Sequence, residues 1–148
     1  MPGGLRVVTW KLQAKRGVQF MAQVVALVDD LFFQAKMLET ARQVGVELKT
    51  VTTGEALLAE AQAAEPQEGL GQVGPGPALL IVDLNARQGP LEALERLRAA
   101  GNQRPVIAFL SHVQVELAER ARAAGCQQVM PRSKFTQNLA AILSQAKS

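Results

Sequence analysis

Residues 79 to 90 read LLIVDLNARQGP, and this stretch decides the fold. Four apolar residues run without polar alternation into Asp83, and a polar turn marked by Gly89-Pro90 follows. A strand with no alternation has to be covered on both faces, as in a parallel sheet flanked by helices. A carboxylate at its end then lies at the carboxyl edge of the sheet, where ligands and reactive groups gather in such folds.

The same alternation of strand and helix repeats outward from this stretch. QVVALV (23–28) is a β-branched run followed by the helical pattern LFFQAKMLETARQVG, in which Phe32, Ala35, Leu38 or Glu39, and Arg42 share a spacing that ends at Gly45. VELKTV (46–51) predicts a second strand, and Thr52 or Thr53 can cap the helix GEALLAEAQAAE. PQEGLGQVGPGP (66–77) reads as a surface loop rich in Gly and Pro. ALLIVDL and LEALERLRAAG form the third pair, PVIAFL and VELAERARAAG the fourth, and QQVM with FTQNLAAILSQA the fifth. Right-handed crossovers then predict an α/β, flavodoxin-like, doubly wound sheet of five parallel strands, order 2-1-3-4-5, with helices on both faces.

The chain has 148 residues, enough for one domain with a hydrophobic core, and its single cysteine, Cys126, cannot form an intramolecular disulfide. Cys126 is expected to be a small buried apolar residue. No export signal is visible, and the apolar runs are far shorter than the roughly 20 residues that span a bilayer. These features predict a cytoplasmic protein with no membrane association. The net charge is +3, but residues 1–20 hold Arg6, Lys11, Lys15 and Arg16 and no acid, which leaves 12 basic and 13 acidic residues in the remainder. The body is not basic, so nucleic acid is not an expected partner. Residues 1–22 are expected to form a basic, poorly ordered N-terminal extension ahead of a domain over 23–148. An over-long gene start, with Met21 as the true first residue, is its plainest account, and a basic docking arm is the alternative.

The order 2-1-3-4-5 makes strands one and three neighbours, so that Asp29 and Asp30, at the end of the first strand, converge with Asp83 in one crevice. Three crowded carboxylates repel, raising at least one pKa, unless a divalent cation lies among them. An all-oxygen cluster suits Mg²⁺. Each acid alone could equally be a helix cap or an Asx-turn residue. Phe32 and Phe33 follow the acid pair, one expected in the core and one as half-buried cover, with an exposed partner-binding patch as the alternative. His112, the one histidine, is expected in a surface or capping role.

At VVALVDD, LLIVDLN, RPVIAFLSH and AAGCQQVMPRSKF the chain resembles the receiver domain of two-component response regulators, over roughly residues 23 to 146. The resemblance implies that Asp83 is the phosphoacceptor and that Asp30, Asp83 and the backbone carbonyl of Asn85 hold Mg²⁺ directly, with Asp29 acting through water. It also implies where the chain departs from the pattern. The switch hydroxyl falls on Leu110; Ser111 is next to it, but a one-residue shift at a strand end turns a side chain to the other face. The phosphate-binding lysine falls on Arg132, or on Ser133 with Lys134 adjacent, and the switch aromatic falls on Val129. These departures predict a stand-alone receiver-like signalling protein with a degenerate switch. It would act through contacts with a histidine kinase or another signalling protein, and would be no enzyme beyond Mg-dependent self-phosphorylation or dephosphorylation at Asp83. Binding around Val113, Val129 and Phe135 would not depend on phosphorylation. Two alternatives are a fully working Mg-dependent regulator, with Arg132 or Lys134 as the cation and Ser111 as the hydroxyl, and a flavodoxin-like enzyme or small-ligand binder.

Overall fold

A computed structural model describes residues 23–62, 76–111 and 114–147. The expected N-terminal extension, most of the 66–77 loop, His112 and Val113 lie outside the described residues. The strands are β1 (Val24–Leu27), β2 (Leu48–Val51), β3 (Leu79–Asp83), β4 (Val106–Leu110) and β5 (Gln128–Pro131). The helices are α1 (Leu31–Val44), α2 (Gly54–Gln62), α3 (Pro90–Ala99), α4 (Val115–Ala123), α5 (Arg132–Gln137) and α6 (Leu139–Ser144), closed by a 3-10 turn over Gln145–Lys147. All strand pairs are parallel, and the sheet order is β2-β1-β3-β4-β5, as the sequence predicts.

The three central strands are buried along their whole length, which is why their sequences carry no alternation. Successive side chains point to opposite faces and so divide the core in two. Leu80, Val82, Ala108 and Leu110 pack beneath α2, α3 and α4. Ile81, Ile107 and Phe109 pack beneath α1, α5 and α6, with Phe33, Met37 and Phe135. Pro131, which has no N–H for the ladder, lies in the edge strand β5, where its loss is tolerated. No helix among the described residues is long and apolar enough to cross a membrane.

Local chemistry sets the helix ends. The Asp30 carboxylate accepts the N–H groups of Phe32 (3.0 Å) and Phe33 (3.2 Å), and so caps α1. Gly45, at φ 78°, closes the helix in the left-handed conformation that glycine adopts at least cost. Of the two candidate caps for α2, Thr53 is the one used: its hydroxyl accepts from the Ala56 N–H at 3.0 Å.

Four expectations are corrected. The inward stripe of α1 is Phe33, Met37 and Ala41, and every residue of the stripe read in the sequence is exposed. Phe33 is core, while Phe32 is 90% exposed and not half-buried cover. The final helix is two, divided at Asn138. There the side-chain amide donates back to the Lys134 carbonyl at 2.9 Å, competing with regular helix continuation. Phe135 is fully buried, so it belongs to the core and not to a partner-facing surface.

Candidate functional site: an acid pocket closed by two arginines

Asp83 ends β3 on the same face as Leu79 and Ile81, and lies beside Phe109 of β4 in register. That parity aims its carboxylate toward the first turn of α1 and the start of α5. Asp30 is the α1 cap, and Arg132 opens α5 directly after the edge-strand proline. The fold thus brings Asp30, Asp83 and Arg132 together. Arg132 Nη2 donates to Asp83 Oδ2 at 3.2 Å, and its Nη1 lies 3.6 Å from Asp30 Oδ2. The other oxygen of Asp83 accepts the Asn85 N–H at 2.9 Å.

The floor under the guanidinium is aromatic. Its central carbon stands 4.5 Å from the Phe33 ring centroid and 5.4 Å from that of Phe109, which stacks on Phe135 at 4.5 Å. A cation over desolvated ring faces gains from the rings' negative quadrupole as well as from its ion pairs. Asp83 is almost wholly buried. Burial raises its pKa above the ordinary carboxylate value, and the repulsion of Asp29 and Asp30 adds to this. The Asn85 N–H and the Arg132 charge act in the opposite direction.

Asp29 faces elsewhere. Its Oδ2 accepts the backbone N–H of Arg87 at 2.9 Å and lies 3.4 Å from the Arg87 Nε. Asn85 ties the third and fourth strand ends together: its Nδ2 donates to Gln114 Oε1 at 2.8 Å, and its Oδ1 accepts the Ser111 N–H at 2.6 Å. Ser111 therefore joins the pocket's rim through its backbone. Lys134 is exposed and pairs with none of the three acids. Leu110 is buried beneath α4, and Val129 packs partly buried against the same core, so both switch positions carry hydrocarbon.

The expected arrangement of Asp29, Asp30, Asp83 and Asn85 around Mg²⁺ does not match these contacts. Asp30 divides its oxygens between the α1 cap and Arg132, Asp83 between Asn85 and Arg132, and Asp29 turns to Arg87. Among the described residues no group of three His, Cys, Asp or Glu side chains is placed to hold a metal ion. The donor set, as arranged, does not fit a directly bound divalent cation.

Arg87 and Gln114 are the contributors that sequence reasoning missed. Arg87 had a signal, since a cation in the β3–α3 turn must lie near the acids that end β1 when the two strands are neighbours. Gln114 had none, because its role depends on the path of the β4–α4 loop.

No protein-family model and no curated protein matches the chain. Solved structures do. A chemotaxis response regulator of Vibrio cholerae superposes with a TM-score of 0.65 at 21% identity, over 85% of this chain and 98% of that one. A response regulator in red-light signalling of R. palustris gives 0.62 at 18% identity, over 82% and 91%. A phosphorylated cyanobacterial phytochrome response regulator gives 0.64 at 16% identity, over 86% and 91%. The chain therefore has the fold of response-regulator receiver domains.

Proposed function

We propose that the chain is a receiver-like signalling protein of two-component type, located in the cytoplasm, with Asp83 as its phosphoacceptor and a degenerate switch. It acts through contacts with a kinase or another signalling protein, and its chemistry is confined to Asp83. The observation that carries this reading is the position of Asp83, buried at the carboxyl end of the central strand with one oxygen on the Asn85 N–H and the other on Arg132.

This geometry supports nucleophilic attack by a carboxylate oxygen on the phosphorus of a small acyl phosphate. The P–O bond to the leaving carboxylate breaks as the new acyl-phosphate bond forms, and Arg132 stands where charge develops on the phosphoryl oxygens. The degenerate switch is supported by Leu110 and Val129, which supply neither hydroxyl nor aromatic ring to report the event. A phosphoryl group that makes no new contact in one arrangement over the other shifts neither. Protein contacts are supported by apolar side chains at the rim: Leu31 and Phe32 are 73% and 90% exposed beside Asp30, and Val115 is 60% exposed beside an apolar hollow of about 270 Å³ between α4 and β5.

Incubation with acetyl phosphate, followed by intact mass measurement, tests the acceptor: one phosphoryl adduct is expected, absent in Asp83→Asn. Amide spectra of the same samples test the switch. Shifts confined to the loops of Asp30, Asp83 and Ser111 are expected. Shifts spreading over α4 and β5 would instead establish a working regulator, with Ser111 or Lys134 in the missing roles.

A further inference from the structure

We propose that Arg132 is the resident cation of the acid pocket: its guanidinium occupies the place between Asp30 and Asp83 and makes the pocket independent of divalent metal. Three carboxylates at one sheet edge need positive charge among them. Here the chain supplies it twice, by Arg132 between Asp30 and Asp83 and by Arg87 on Asp29. The two are not equivalent. The Arg87 side chain is 83% exposed and holds Asp29 from outside, whereas that of Arg132 is 28% exposed and lies between two acids over the Phe33 and Phe109 rings.

A guanidinium suits this place for a reason that an ammonium does not share. Its planar fork reaches two carboxylates with two different nitrogens, while its flat face rests on the aromatic floor. A hydrated Mg²⁺ would have to draw oxygens from Asp30 that already cap α1 and pair with Arg132, and to enter against the guanidinium charge. The Phe33 and Phe109 rings beneath the guanidinium pack in turn on Phe135, so the floor it rests on is buried hydrocarbon.

The proposal deepens the receiver-like reading of the same pocket, but its test uses metal alone. A chain that took up no phosphoryl group and bound no partner would leave it standing. Thermal unfolding of the full chain is followed across a millimolar MgCl₂ series with ionic strength held constant by NaCl. The wild type is expected to show no saturable rise in Tm, and Arg132→Gln and Arg132→Ala are expected to gain one, which Asp30→Asn in the same background removes. A saturable rise in the wild type would overturn the proposal, as would folded Arg132 variants that gain nothing. Should neither variant fold, Mn²⁺ relaxation of the wild-type amides decides. Loss of signal at Asp30, Asp83 and Asn85 with substoichiometric Mn²⁺ would refute the resident-cation reading, and retention of those signals would support it.

Discussion

Asp83 is pulled in two directions by its surroundings, and the outcome is measurable as pH dependence. Burial outweighs the Asn85 N–H and Arg132, so the folded state holds its proton more tightly than the unfolded chain does. A raised carboxyl pKa contributes stability below the ordinary value of 3.8, and this is lost as pH rises through the folded-state value. At neutral pH the buried charge is therefore a net cost. Asp83→Asn, which keeps the shape and removes the charge, is expected to unfold at a higher temperature than the wild type at pH 7, by a margin that shrinks on acidification. Melting curves from pH 7 to about 4 measure this, and a variant less stable than wild type at pH 7 would show that the Arg132 pair outweighs desolvation. Cys126 obeys the same rule with the opposite relevance to working conditions. Burial pushes its thiol up to about 11, so its contribution is intact at neutral pH and is lost only between 9.0 and about 11. Alkylation of the native protein at pH 8 is expected to be slower than that of the unfolded chain by about 100-fold from thiolate content alone, and burial slows it further. Equal rates would place Cys126 on an exposed, mobile segment instead.

The pocket's outer half depends on how two elements touch. The first residue of α2, Gly54, donates its N–H to the Gln88 carbonyl at 2.7 Å, next to the arginine that holds Asp29. A Cβ on Gly54 would stand 2.5 Å from the Gly89 carbonyl oxygen and 3.0 Å from the Ala93 Cβ, a contact that only backbone movement relieves. Gly54→Ala is therefore expected to cost about 1–3 kcal/mol although alanine is the better helix former, and to displace the β3–α3 loop. Chemical denaturation measures the cost, and the Arg87 and Asp29 amide shifts report the displacement. The sequence made much of this level readable. Unbroken apolar runs marked β1, β3 and β4 as doubly covered strands, and their periodic spacing put Asp29, Asp30 and Asp83 at one sheet edge. Of the two candidate cations, Arg132 reaches Asp83 and Asp30, whereas Lys134 is exposed and pairs with neither. Not readable were the turn of Asp29 toward Arg87, the bridge from Asn85 to Gln114 and the break at Asn138. Each depends on a loop path or a side-chain amide that competes with the backbone, and neither has a period. The stripe of α1 was not readable because Phe32 and Phe33 are adjacent and equally apolar, and a period begun at Phe32 falls on exposed residues throughout.

At the scale of the whole molecule, the pocket joins the parts of the sheet that differ most in protection. Asp83 ends the central strand, flanked on both sides by fully buried strands, while Arg132 follows β5, an edge strand that ends in proline and has exposed residues at both its ends. Edge strands lose hydrogen bonds by local opening without disturbing the core, and central parallel strands open only when most of the molecule does. Amide exchange under native conditions is accordingly expected to be slowest in β1, β3 and β4 and faster in β2 and β5. The Arg132 side chain alters that gradient, because it anchors the end of β5 to the end of β3 across β4 through a partly buried ion pair over the Phe33 and Phe109 rings. In Arg132→Gln the amides of Val129 and Met130 are expected to exchange faster while those of β1 and β3 change only by the loss in global stability. A uniform acceleration over all five strands would mean that Arg132 acts on global stability alone. Acceleration confined to β5 would identify the pocket as the clasp that holds the edge strand to the sheet, and would explain why an arginine long enough to reach two acids stands at the first position of α5.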